Sequence, residues 1–205
     1  MESEWLTIFD DNMKPNGKAT REEVHQKGYW HETFHCWFIR KEEEKTYIYF
    51  QIRSEYKKDY PNLLDITAAG HILSHETVLD GVREVKEELG IDISMDELVP
   101  LGVIPYSVDN NDIIDREMAH VFIYESIQAW NDFKLQKEEV SGILKIELSS
   151  FYKLWFGGKQ YVPAFGFVVN QTGEKEIVKK LLTKADFVQH EDFYFKKVLN
   201  GIKAI

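Results

Sequence analysis

The chain has 205 residues, a formal net charge of -10 and one cysteine. That length suits one domain with a sizeable core, and the acidity excludes a general binder of nucleic-acid backbone, which needs a basic face. Cys36 has no partner for an intramolecular disulfide, no run of 18 apolar residues marks a membrane span, and the acidic start MESEWLTIFDDN has no signal-peptide pattern, so a cytoplasmic chain with no membrane partner is expected.

In chain order, residues 1–28 read as a lead-in, with a strand at Trp5–Phe9 and a turn at Lys14–Gly17. Residues 33–40 and 45–53 are rich in β-branched and aromatic side chains around the charged Lys41–Glu44, which predicts a hairpin. Cys36 lies in the first of these strands and reads as a small buried hydrophobe. Residues 63–70 form a further short apolar run.

Thr77–Leu89 is predicted helical. Val78, Val82, Val85 and Leu89 make one apolar stripe, Thr77 and Asp80 a capping box, and Gly90 a stop, while Gly81 within it suggests close packing. Strands are expected at 98–108 and 118–127 around a polar 109–115 loop, then at 141–147, followed by a short helix at 149–155. From Glu174 the pattern reads as two helices, on Ile177, Leu181 and Leu182 and then on Phe193, Val198, Leu199 and Ile202. The organisation expected is one compact unit: a 1–28 lead-in, a 29–172 main domain and a 173–205 helical extension. Its class is α+β, a mixed sheet flanked by helices.

Glu84, Glu87 and Glu88, at i, i+3 and i+4, cluster on one side of the helix. As like charges they repel, by a few tenths of a kcal/mol per pair on an exposed helix, unless a hard cation such as Mg²⁺ or Mn²⁺ sits among them. Alone, such a face is commonly just solvated. Its ordered context is more specific. GHILSHETVLDGVREVKEELGI, residues 70–91, resembles the Nudix box of MutT-like hydrolases, with one departure: six residues rather than seven separate Glu76 from Arg83.

The resemblance implies an α-β-α layered fold with a loop-helix-loop that carries Mg²⁺ or Mn²⁺ on Glu84, Glu87, Glu88 and the backbone near Gly70. It also implies water attack at phosphorus in a small-molecule diphosphate (nucleoside, sugar or isoprenoid). Glu87, Glu88 or Glu117 is the candidate base, and for Glu117 a surface salt bridge is an equal alternative. Arg53, Lys57, His71 and Arg83 are candidate substrate contacts, and the C-terminal part is a candidate pocket cap or homodimer surface.

A second resemblance runs upstream. Residues 21–35, Gln51–Arg53, Pro61 and 65–71 (DITAAGH) look like isopentenyl-diphosphate isomerases, which share the fold. In those enzymes histidines matching His25, His31 and His71 help bind a metal, and a cysteine precedes the box histidine. Here Ala68 and Ala69 stand in that place, and alanine can neither give nor take a proton. The expectation is therefore an isomerase-like hydrolase. An isomerase and a catalytically silent ligand-binding module are the alternatives, and His25 and His31 are either metal ligands or structural and substrate-contacting groups.

Overall fold

A computed structural model describes residues 4–110 and 113–205. The strands are β1 (Trp5–Phe9), β2 (Pro15–Thr20), β3 (Trp30–Glu42), β4 (Lys45–Arg53), β5 (Leu64–Asp65), β6 (Ala68–His71), β7 (Val99–Asn110), β8 (Ile113–Glu125), β9 (Val140–Glu147), β10 (Val162–Val169) and β11 (Lys175–Leu182). The α-helices are α1 (Arg21–Lys27), α2 (Arg83–Leu89), α3 (Leu148–Phe156) and α4 (Asp192–Lys203). Among the described residues the strands join one mixed sheet whose main path runs β11-β10-β9-β4-β3-β1-β2, with β5 on β4, β6 on β3, and the β7–β8 pair joined through β8 to β3. This is the α+β Nudix-type arrangement expected.

The long strand β3 organises the molecule. It pairs antiparallel with β1, β4 and β6 and parallel with β8. Its aromatic and β-branched residues alternate between two buried faces: Trp37 and Ile39 enter one core, Phe34, Cys36 and Phe38 the other. The second core receives Val85 and Leu89 from α2, the stripe anticipated from the sequence. Cys36 is fully buried there, and burial pushes its thiol pKa up, as expected of a packing residue.

The turn expected at Lys14–Gly17 is instead the start of β2, at Pro15, and three further sequence expectations need correction. Residues 78–82 form a 3₁₀ turn, and the α-helix starts only at Arg83. Thr77 and Asp80 still make the box, with the Thr77 N–H and hydroxyl both donating to Asp80 Oδ2 at 2.8 Å. Gly81 sits so close to β3 that a Cβ would lie 2.7 Å from Phe34, so this segment packs by backbone contact. Second, residues 175–182 are strand rather than helix. The apolar run 162–169, unassigned from the sequence, forms β10 and pairs with them across its whole length. Partner pairing outweighs the helix-favouring Glu, Lys and Leu of β11, so the C-terminal region contributes a single α-helix. Third, β7 and β8 extend into the expected 109–115 loop, whose residues 111–112 lie outside the described residues.

Candidate active site

Glu84 and Glu88 face inward from α2, while Glu87 is about half exposed. Arg83, at the start of the same helix, gathers this group. Its guanidinium donates to Glu76 (2.6 and 2.9 Å), Glu84 (2.5 Å), Glu87 (3.2 Å) and the His71 carbonyl (3.1 Å). Arg83, a candidate substrate contact that also stands four residues before Glu87, here has its guanidinium engaged with carboxylates. Glu76 is its bidentate partner, and it also accepts from the Leu73 N–H at 2.9 Å. The shortened spacing before Arg83 is accommodated by the 3₁₀ turn.

Gly70 lies against this cluster. A Cβ built there would fall 2.2 Å from the Glu84 carboxyl carbon, so the missing side chain leaves the space that the carboxylate occupies. Glu88 accepts from the Ala69 N–H at 3.2 Å and from Gln51 at 3.4 Å. Burial pushes the Glu84 carboxyl up to about 7, with Arg83 opposing and Glu87 adding to the rise. Burial also raises Glu88 well above the ordinary range, helped by the charge of Glu84. Crowded, desolvated carboxylates of this kind lack positive charge.

These groups line a cavity of about 510 Å³, with Arg53, Lys57, Gly70, His71 and Glu117 also in its wall. That volume fits a small-molecule ligand. The lining holds nine Asp or Glu residues against four Arg or Lys. Each of the four already has a carboxylate partner: Arg21 with Glu4, Arg53 with Asp65, Lys57 with Glu139, and Arg83 with the box glutamates. The expected phosphate-gripping residues Arg53 and Lys57 therefore line the cavity with their charges engaged.

His25 from α1, His31 from β3 and His71 from β6 converge, their ring centroids 5.2–5.4 Å apart. One ring nitrogen from each lies within 4.8 Å of the other two, and His31, Asp115 and Glu117 form a second such group. The His31 Nδ1–H donates to the Tyr29 carbonyl at 3.1 Å, which leaves its Nε2 lone pair free. That Nε2 and Asp115 Oδ1 are buried, lie 3.6 Å apart and have no hydrogen-bond partner. Burial, with His71 nearby, lowers His25 to about 4 and His31 to about 3, so both imidazoles are neutral at pH 7, the form that ligates metals. Orphaned buried atoms and neutral imidazoles fit a transition-metal cation.

Glu117 is 8% exposed, which removes the surface salt bridge as its explanation. It accepts from Thr33 (3.0 Å), Tyr106 (2.7 Å) and His35 (3.0 Å). Burial raises its pKa, but His35 and the hydroxyl donors outweigh burial and hold the carboxyl well below the usual range. Its neighbour Asp115 is pushed the other way, to about 8, by burial and by the Glu117 charge. Sequence reasoning missed Asp115 by leaving it in a loop. Two carboxylates at i and i+2 of one strand, as in Asp115-Arg-Glu117, share a face, and that was the available signal. Asp65, His190 and Glu4 were missed as well. Their proximity is tertiary, and nothing local announces it.

The fold and this cavity together define a class. No family model matches the chain. It is 44% identical over 202 residues to an uncharacterized Nudix hydrolase of Clostridium acetobutylicum, covering 98% of each chain. It is 26% identical over 119 residues to an isopentenyl-diphosphate Delta-isomerase of Pectobacterium atrosepticum, covering 57% of this chain and 63% of that one. A solved Deinococcus radiodurans structure matches its fold with a TM-score of 0.50 at 16% identity, covering 76% of this chain and 91% of the other. The chain belongs to the Nudix hydrolase family, enzymes that act on diphosphate bonds. No described helix is long and apolar enough to cross a membrane.

Proposed function

We propose that the protein hydrolyses a small-molecule diphosphate by water attack at phosphorus, with Mg²⁺ or Mn²⁺ held by Glu84, Glu87 and Glu88 beside the Gly70 backbone. The observation that carries this reading is the charge of the cavity. Nine carboxylates face four cations that are already paired, so a diphosphate is repelled unless divalent charge accompanies it. A bound cation would offset the charge on the diphosphate oxygens and acidify the attacking water.

The chain's own groups divide the remaining work. Glu84 and Glu88, buried and raised in pKa, are poised to ionise toward a cation. Arg83 holds Glu76, Glu84 and Glu87 in register, and the Ala69 N–H and Gln51 hold Glu88. Glu87, half exposed, is the proton acceptor, because it alone of the three opens to solvent and can pass the proton on. Glu117 is too strongly held as an anion to be an efficient base, and serves as a fixed charge beside His31 and Asp115. The test separates these roles. Glu87→Gln lowers kcat by about 10²–10⁴ and weakens cation affinity less than Glu84→Gln or Glu88→Gln does, because the two buried carboxylates remain. Full activity in Glu87→Gln and Glu88→Gln alike sinks the assignment.

The histidine cluster favours a second reading, an isoprenoid-diphosphate isomerase with a metal on His25, His31 and His71. Against it, Ala69 lines the cavity and Ala68 is buried where a reactive thiol would be needed. Formation of an allylic isomer without phosphate release would establish that reading instead.

A further inference from the structure

The segment between β11 and α4 adds a group to the cavity that the chemistry above does not use. Val188 donates its N–H to the Leu64 carbonyl at 2.8 Å, and Phe187 bridges Leu64 in parallel. This pins the C-terminal segment beside Asp65 and delivers His190 into the cavity wall. The side chain of His190 is 7% exposed, and its Nε2 lies 2.7 Å from Asp65 Oδ1.

Asp65 is fully committed. Oδ1 also accepts from the Ile66 N–H at 2.8 Å, and Oδ2 accepts from Arg53 at 2.9 Å. Burial raises its pKa, but the His190 hydrogen bond and the Arg53 charge outweigh burial and keep the carboxyl far below its ordinary range. An ionised carboxylate only accepts, so the His190 proton facing it resides on Nε2. Asp65 thereby fixes the tautomer and the ring orientation, as a carboxylate does for histidines in many active sites. The other nitrogen, Nδ1, is buried and has no partner. Buried polar atoms are nearly always hydrogen-bonded, so an orphan in a cavity wall marks a place for a ligand atom.

The surroundings say which kind. The His190 ring packs edge-on against Tyr106 at 5.7 Å, and Tyr106 donates to Glu117. In this wall, of Asp65, His190, Tyr106 and Glu117, both carboxylates already have donors, and the His190 Nδ1 is the group without one. A hydrocarbon chain placed on it would leave the open nitrogen without a partner, whereas a hydroxyl satisfies it. We propose that His190, oriented by Asp65, is a specificity residue that hydrogen-bonds a hydroxyl on the non-phosphate part of the diphosphate substrate, which makes that part a sugar or nucleoside rather than an isoprenoid chain. This rests on the hydrolase reading above for the identity of the reaction, and on the cavity alone for the contact.

The experiment compares the full-length wild type with His190→Ala and His190→Gln on ADP-ribose, UDP-glucose and isopentenyl diphosphate, in Mg²⁺ and in Mn²⁺. The better sugar nucleotide is then repeated as its deoxy-sugar analogues. The expected result is that the wild type prefers a sugar nucleotide. His190→Ala raises its KM at least ten-fold with kcat within two- to three-fold, and loses the preference over one deoxy analogue. His190→Gln, which can bond both Asp65 and a hydroxyl, recovers part of it. A purely structural role would lower kcat/KM equally for hydroxylated and deoxy substrates. That result, or a wild-type preference for isopentenyl diphosphate, overturns the proposal. If nothing is turned over, the hydrolase reading fails separately, and calorimetric binding of the same compounds decides the contact. A hydroxyl-dependent affinity lost in His190→Ala upholds it, and no such dependence refutes it.

Discussion

At the scale of single residues, burial sets the character of Glu84. Its carboxyl, raised to about 7, has a folded-state pKa above its unfolded value. The folded chain therefore holds a proton that the unfolded chain releases, and stability falls as pH rises from about 4.5 through 7. Glu84→Gln removes this penalty. In chelator at pH 8 the variant should unfold at higher denaturant than wild type, by on the order of 1–3 kcal/mol, with the gap closing toward pH 4. Mg²⁺ or Mn²⁺ should reverse the order at pH 8 by stabilising only the wild type. A gap that is constant across pH, measured by urea titration, would show that burial of the charge is not the cause.

Gly70 and Gly81 make a paired test. A methyl at Gly70 would meet the Glu84 carboxylate, and one at Gly81 would meet Phe34 in the core. Gly70→Ala should reduce activity and cation affinity with the fold intact. Gly81→Ala should instead destabilise, by about 1–3 kcal/mol, and reduce activity only in proportion to unfolding. Kinetics and thermal melts of both variants distinguish the two.

At the scale of elements, what the sequence made legible was what local pattern controls. The β-branched and aromatic residues of 33–40 and 45–53 around Lys41–Glu44 gave the β3–β4 hairpin, the Val85–Leu89 stripe gave the buried face of α2, and the typed order from Gly70 to Ile91 gave the carboxylate cluster. Residues 175–182 were misread because an exposed strand rich in Lys, Glu and Leu looks like a helix until its partner β10 is found. The histidine cluster was half legible. His25, His31 and His71 were singled out, but the adjoining group of His31, Asp115 and Glu117 forms only through the parallel pairing of β3 with β8, where His31 lies opposite Glu117. Arg53 and Lys57, read from the sequence as candidate substrate contacts, line the cavity, while their pairing with Asp65 and Glu139 depends on contacts far from the motif.

At the scale of the whole molecule, both ends of the chain build the site. Glu4, Arg21 and His25 enter the cavity from the N-terminal elements, and Val188 and His190 from the C-terminal segment. Tyr194 of α4 ties that segment to the central strand. The Trp37 N–H donates to its hydroxyl at 3.0 Å, and His35 Nδ1 lies 2.8 Å from the same oxygen. Tyr194→Phe would leave two buried groups on β3 unpaired, a cost of about 1–3 kcal/mol. Because His35 also holds Glu117, the same change should lower activity, whereas Lys196→Ala on an α4 position with no such link should alter neither. Chemical denaturation and steady-state kinetics of both variants check this.

The central claim is cleavage of a diphosphate by water with a divalent cation at the box glutamates. Its most direct test is hydrolysis in ¹⁸O-labelled water of the best substrate from a panel of sugar, nucleoside and isoprenoid diphosphates, with Mg²⁺ or Mn²⁺ and with chelator, for wild type and Glu88→Gln. The expected result is one ¹⁸O per turnover in a phosphorylated product, dependent on the cation and abolished or severely reduced in Glu88→Gln. Cation-independent turnover, label in the alcohol rather than on phosphorus, or an isomerised allylic diphosphate with no phosphate released would contradict it.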